Sequence, residues 1–176
     1  MEHWKKIKEE LVYDGWRKVI RRYFLLPNGK EEAFDIIGSN NYVIIAAFTE
    51  NHDAILVQQY RPGAEEVLVS FPEGGIEEAE SLAEAARREL LEETGYSAGE
   101  VQLLKSFRRA YSNQQYHTFI ATHCKKIGDQ QLDDSEFIEV FTKPLTEFRS
   151  LIKDAHDHSF HNVGSAYLAL DFLDKL

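Results

Sequence analysis

Residues 74–96 read GGIEEAESLAEAARRELLEETGY. A paired glycine leads into a helical pattern whose apolar positions, Leu82, Ala86 and Leu90, recur at helical spacing, and Gly95 stands where a helix stops. At 3.6 residues per turn, Glu89, Glu92 and Glu93 fall within roughly a 100° arc, so three carboxylates share one side of the helix beside its apolar stripe. Two like charges ~6 Å apart repel by roughly 3 kcal/mol at an effective dielectric of about 20. Arg88, one turn before Glu92, and a divalent cation are the two available neutralisers. A hard cation such as Mg2+ takes oxygen ligands and keeps several waters, which suits carboxylates at the edge of a cleft. Taken alone, a Glu-rich amphipathic helix is a solvated, salt-bridged face. The full spacing decides between the two readings.

That spacing is Gly74, five residues, Glu80, seven residues, Arg88-Glu89-Leu90, then Glu92-Glu93, Thr94 and Gly95-Tyr96. It resembles the signature of the Nudix hydrolase family at each fixed position, with Tyr96 standing where an aliphatic residue is usual. The resemblance implies an α+β fold, a Nudix-like α/β/α sandwich around a mixed sheet. It also implies metal-dependent hydrolysis of a pyrophosphate, with Mg2+ as cofactor and Mn2+ as a possible substitute. Glu89, Glu92 and Glu93 are then the metal carboxylates, the carbonyl of Glu73 is an additional ligand, and Arg88 holds Glu92. Gly74 allows the tight loop, and Glu80 supports it. The general base comes from a separate loop, with Glu136 the candidate and Asp133 and Asp134 beside it.

The wider sequence agrees in part. LPNG (26–29), VQQYRPG (57–63) and DDSEFIEVF (133–141) are similar to the branch that cleaves ADP-ribose and other nucleoside diphosphate sugars, and which often forms homodimers through N-terminal strands. Arg61 matches a substrate contact there. The loop Tyr111-Ser112-Asn113-Gln114-Gln115 lacks the Ser-Pro-Gly pattern of that branch, which leaves a nucleotide sugar or a related dinucleotide open as substrate. Tyr111 and Tyr116 are the aromatic residues able to stack on a base, with core packing beside the strand pair the commoner fate of each. Dinucleoside polyphosphates, damaged nucleoside triphosphates and a non-catalytic nucleotide-sensing role are the alternatives.

The chain has 176 residues and a net charge of -10 with His neutral. This acidity disfavours nucleic acid and anionic membrane as partners, and a phosphorylated substrate approaching the carboxylates then needs metal ions. Cys124 is the single cysteine, so no internal disulfide forms, and with neither signal nor membrane anchor in the pattern a cytoplasmic location is expected. Cys124 reads as a small buried hydrophobe.

Working outward from the box, residues 1–40 read as an extension for dimerisation or contact with the substrate base, and 41–176 as the hydrolase domain. Trp4, Ile7 and Leu11 predict a short helix over 3–12. WRKVIRRYFLL and EEAFDIIG flank the turn Pro27-Asn28-Gly29 as a hairpin. NYVIIAAF (41–48) is apolar almost throughout, as in a strand covered on both faces, and AILVQQY (54–60) returns beside it. VLVSFP leads into the box and Leu82–Glu93 is the helix. VQLLKSFRRA and YHTFIATHC form a strand pair, EFIEVFT a last strand, and two helices begin near Pro144 and Val163. His156, His158 and His161 have a spacing that suits a transition metal, but as polar loop histidines with no cysteine beside them they read as solvated.

Overall fold

The computed structural model describes residues 2–154 and 156–174. The chain divides into two compact units, Met1–Asn41 with Phe107–Tyr116, and Tyr42–Ser106 with His117–Leu176.

The first unit is built on a three-stranded antiparallel sheet of β1 (Lys5–Asp14), β2 (Lys18–Leu25) and β3 (Glu31–Gly38), in that order. The helix expected over 3–12 is therefore a strand. Register shifts between Lys6 and Lys8 and between Leu11 and Tyr13 interrupt its pairing with β2. Each bulge adds a residue and breaks the two-residue alternation, so the apolar positions fall at intervals that mimic a helix. Tertiary pairing outweighs the local pattern: Arg22 donates to Glu9 at 3.0 Å, Tyr23 to Glu10 at 2.6 Å, and Trp4 packs on Phe24 and Phe34. With β1 present, the hairpin gains the third strand that independent stability requires.

The second unit is organised by a mixed sheet. β4 (Tyr42–Thr49) and β5 (Ala54–Arg61) lie at its centre and pair antiparallel. β6 (Glu66–Ser70) runs beside β5, and the short β7 (Glu73–Gly75) pairs with β4 through Tyr42, Val43 and Ile44. After helix α1 (Leu82–Thr94) come β8 (Tyr96–Ser97), β9 (Glu100–Arg108), β10 (Gln115–Lys126) and β11 (Glu139–Lys143), then helices α2 (Leu145–Lys153) and α3 (Val163–Phe172). The sheet order is β11-β5-β4-β10-β8, with β6 on β5, β7 on β4 and β9 on β10.

The apolar run in β4 serves both faces. Val43, Ile45 and Ala47 join Ile55, Phe119, Ala121 and Cys124 against Ala85, Ala86 and Leu90 of α1. On alternate positions, Phe48 meets Phe71 and the Phe148 ring of α2, with Phe160 closing the aromatic cluster, and α3 also packs on β4. Burying a side chain such as Leu90 contributes roughly 2 kcal/mol, so α1 is held to the sheet by its apolar stripe. The carboxylates at the edge of that stripe inherit its position.

The last strand begins at Glu139 rather than Glu136. The Glu136 N–H donates to the Asp133 carbonyl at 2.9 Å and the Glu136 carboxylate accepts from the Asp133 N–H at 3.1 Å, which closes a turn where a strand was expected.

Candidate active site

Two caps fix α1. Ser81 and Glu84 form a reciprocal capping box at its start, and Gly95, in the left-handed region at φ 73°, donates its N–H to the Leu91 carbonyl at its end. A side chain at Gly95 would also meet the Gly128 carbonyl.

Within that frame Arg88 is the organising cation. Its Nε and Nη2 grip the two carboxylate oxygens of Glu80, each at 2.9 Å, and its Nη1 reaches Glu89 at 2.9 Å and Glu92 at 3.0 Å. Nη2 also donates to the Gly75 carbonyl at 2.9 Å, which ties the helix to the glycine turn. The guanidinium holds Glu80 below the usual carboxylate range. Glu80 in turn accepts from the Glu77 N–H, so it secures the loop before the helix.

Glu89 and Glu93 are the desolvated pair. Burial pushes Glu89 up to about 7 against the opposing pull of Arg88, with Glu92 and Glu136 adding repulsion. Glu93 is 4% exposed and accepts from the Glu73 N–H at 2.9 Å. Burial drives its carboxyl well above the ordinary range, and the charges of Glu89, Glu73 and Glu136 push the same way. Gly74 explains how Glu89 fits, because a Cβ there would lie 2.1 Å from the Glu89 carboxyl.

Glu73 is held through its side chain. Its side chain accepts from Arg61 at 2.7 Å, from Asn162 at 3.0 Å and pairs with His161 Nε2 at 3.1 Å. The Tyr42 hydroxyl donates to its carbonyl at 3.4 Å. His156, His158 and His161 are all exposed residues, and of the three His161 turns its Nε2 onto the Glu73 carboxylate. Among the described residues no set of three or more His, Cys, Asp or Glu side chains is gathered at metal-cage spacing. Glu89 and Glu92 are turned onto Arg88, and Glu93 onto a backbone N–H.

Gln130 was not singled out by the sequence. Its amide donates to the Glu93 carbonyl at 2.6 Å and to the Ile138 carbonyl at 3.1 Å, and the Gln131 N–H donates to the Glu92 carbonyl at 2.8 Å. These bonds hold the 130–138 loop on the end of α1, and with it the exposed Glu136, whose charge both Glu89 and Glu93 feel. Tyr111 lies in the other unit, exposed, with its ring 6.4 Å from Phe34 and its carbonyl bonded to the Ile37 N–H.

Among the described residues Glu80, Glu89 and Glu92 share the single cation Arg88, and Glu93 has none. A hard divalent ion fits this donor set: the carboxylate oxygens are of the right type, and the charge they leave uncompensated is the charge such an ion would neutralise. The NUDIX domain family matches residues 39–162. The chain belongs to the Nudix family. It is a Nudix-type pyrophosphohydrolase.

This Nudix enzyme is 32% identical over 155 residues to the ADP-ribose pyrophosphatase of Bacillus subtilis, covering 85% of this chain and 83% of that protein. It is 31% identical to the methanol dehydrogenase activator of Bacillus methanolicus, with the same coverage. A third relative, the ADP compounds hydrolase NudE of Escherichia coli, is 28% identical over 83% of this chain and 80% of its own length. A crystal structure of an ADP compounds hydrolase superposes with a TM-score of 0.81 at 22% identity, covering 100% of this chain and 98% of that one, which establishes the shared Nudix fold.

His161 and Asn162 were missed as partners of Glu73 because nothing local marks them. An Asn before a helical pattern reads as a cap, and the contact with Glu73 spans 89 positions of sequence.

Proposed function

We propose that this Nudix hydrolase cleaves the pyrophosphate bond of a nucleoside diphosphate sugar such as ADP-ribose, releasing a nucleoside monophosphate and a sugar phosphate. The observation that carries the chemistry is the desolvated Glu89–Glu93 pair beside a single shared arginine. Support for the substrate class comes from relatives described as ADP-ribose pyrophosphatase and ADP compounds hydrolase.

Glu89, Glu92 and Glu93, with the Glu73 carbonyl, are the groups that would hold Mg2+, or Mn2+ in its place. Such an ion, when bound, neutralises phosphoryl charge and acidifies a bound water. Arg88 orients Glu89 and Glu92, and α1 keeps all three carboxylates on one side. Glu136 is the proposed base, taking the proton of the attacking water as its oxygen bonds to phosphorus and the bridging P–O bond breaks. Arg61, Gly74 and Tyr111 are the proposed substrate-binding positions, with Arg61 exchanging its bond to Glu73 for one to the substrate.

Residues 1–40 form the proposed extension for dimerisation or contact with the substrate base, and 41–176 the proposed catalytic domain. Trp16 is 93% exposed and Leu11 and Tyr13 lie open on β1, apolar surface of the kind a second copy would cover. A cytoplasmic location accords with this chemistry, and among the described residues no helix is long and apolar enough to cross a membrane.

The test is a hydrolysis screen over ADP-ribose, other nucleotide sugars, dinucleoside polyphosphates and nucleoside triphosphates, with and without Mg2+. Preferred metal-dependent release of AMP and ribose phosphate from ADP-ribose supports the reading. Preference for another substrate class overturns the assignment of substrate, and no metal-dependent turnover at all overturns the mechanism. Light scattering at micromolar concentration tests the dimer, with a monomer as the refuting result.

A further inference from the structure

Asn162 stands immediately before α3, where an asparagine ordinarily turns its side chain onto the first N–H groups of the helix. Here it makes no such cap. The residue is 6% exposed, and both ends of its amide reach across to the segment that precedes the glycine turn. Oδ1 accepts from the Phe71 N–H at 2.9 Å, and Nδ2 donates to Glu73 Oε2 at 3.0 Å. The two bonds straddle Pro72, which has no N–H of its own and whose carbonyl is already engaged by the Ile45 N–H at 2.9 Å. The peptide held in this way is the one whose next N–H, that of Glu73, donates to the Glu93 carboxylate.

Arg61 and His161 both meet Glu73 at Oε1, so among the described residues Oε2 depends on Asn162. Without that donor a buried carboxylate oxygen loses its partner and the side chain must turn to find another. The backbone of residue 73 moves with it.

We infer that Asn162 is a positioning residue for Glu93: by holding Phe71 and Glu73 together it fixes the backbone N–H that aims the Glu93 carboxylate at a divalent cation. The inference rests on the reading above in which Glu93 holds that ion. It adds a residue from the C-terminal segment to a site otherwise built from the glycine turn and α1, and it accounts for the helix cap that Asn162 leaves unmade.

The experiment measures Mn2+ binding directly, by the loss of free-ion electron paramagnetic resonance signal on titration, beside thermal unfolding and steady-state kinetics with ADP-ribose. Three variants are compared with wild type: Asn162→Ala, Asn162→Asp, and the double variant Glu73→Gln/Asn162→Asp. Asn162→Asp keeps an acceptor for the Phe71 N–H but sets a second carboxylate against Glu73. The double variant restores one hydrogen bond with its direction reversed, from the Gln amide to the new carboxylate.

Asn162→Ala and Asn162→Asp are expected to bind Mn2+ about tenfold more weakly, the scale seen when partners that orient metal ligands are removed. Their kcat should fall at fixed sub-saturating Mn2+ and recover as the ion is raised, with KM for ADP-ribose unchanged. The double variant should recover Mn2+ affinity relative to Asn162→Asp. A purely structural role predicts a lower Tm with wild-type Mn2+ affinity in every folded variant, and that result overturns the inference. Should Asn162→Ala fail to fold, the comparison of Asn162→Asp with the double variant decides, and no recovery there overturns it. Absence of Mn2+ binding by wild type overturns the metal reading itself and this inference with it. Binding by wild type that the substitutions leave unchanged overturns the inference alone.

Discussion

The backbone N–H of Glu73 donates to the carboxylate of Glu93 across 20 positions of sequence, at 2.9 Å. This bond joins the segment before the glycine turn to the last turn of α1 and satisfies one oxygen of a carboxylate that burial otherwise penalises. Among the described residues no side-chain cation pairs with Glu93, so its desolvation is offset only in part.

Replacing that carboxylate by an amide separates stability from chemistry. Glu93→Gln keeps an oxygen to accept from the Glu73 N–H and removes a buried charge. In metal-free buffer at pH 8 its Tm should equal or exceed that of wild type. Its kcat should fall roughly 100-fold or more, equivalent to about 3 kcal/mol of transition-state stabilisation. Unchanged turnover in the folded variant would remove Glu93 from the metal site.

Gly74 offers a test of Glu89. A methyl group there must displace the Glu89 carboxyl, which is the free end of a flexible side chain rather than backbone. Gly74→Ala should therefore fold, losing about 1–3 kcal/mol, while Mn2+ affinity and kcat both drop. Wild-type metal affinity in this variant would show that the position of Glu89 is not needed.

Arg88→Lys probes the shared cation. The guanidinium makes five hydrogen bonds to Glu80, Glu89, Glu92 and Gly75. An ammonium has three donors and cannot form the paired contact with Glu80. A loss of about 2 kcal/mol in urea unfolding is expected for this part-buried network, along with reduced kcat. Wild-type stability would mean that the network contributes nothing net.

How legible this was depends on distance along the chain. The helix, its stop at Gly95 and the carboxylates of one side follow from spacings of one to four residues, which sequence displays directly. The double coverage of β4 follows from an uninterrupted apolar run. What escaped is non-local or irregular. Strand β1 hides behind two bulges that imitate helical spacing. The engagement of Glu73 by Arg61, His161 and Asn162 brings together residues 12, 88 and 89 positions away, and Gln130 reaches the Glu93 carbonyl across 37. Such contacts exist only once the sheet order is set, because polar side chains find buried partners after the backbone has placed them.

Glu136→Gln tests the proposed base. The exposed carboxylate lies on the loop that Gln130 fastens to α1, and its own contact is with the Asp133 N–H, which an amide oxygen can still accept. Stability should stay within about 0.5 kcal/mol, as for most surface changes. Loss of a general base predicts a kcat roughly 100-fold lower or more. A value near wild type would move the role to another residue.

The pH dependence of the metal-free protein follows from Glu89. Its folded-state value is about 7 against an ordinary value of 4.5, so between those limits the folded protein binds more protons than the unfolded chain. Stability then falls as pH rises: the contribution is fully present below about 4.5 and lost as pH passes through about 7. The difference corresponds to roughly 3 kcal/mol, or about 6–12 °C in Tm for a chain of this size. Arg88, Glu92, Glu93 and Glu136 are the charged groups whose fields Glu89 feels or shares. Of these, Glu93 is shifted in the same direction, which carries the decline to higher pH. Thermal unfolding in EDTA from pH 5 to 8 should show the fall in wild type and a shallower one in Glu89→Gln, which has no proton to lose there. Saturating Mg2+ should reverse the trend, since cation binding favours the ionised carboxylates and releases protons. Parallel pH profiles for wild type and Glu89→Gln in EDTA would show that Glu89 is already ionised in the folded protein, and the account of the site as a desolvated carboxylate pair awaiting a cation would fail.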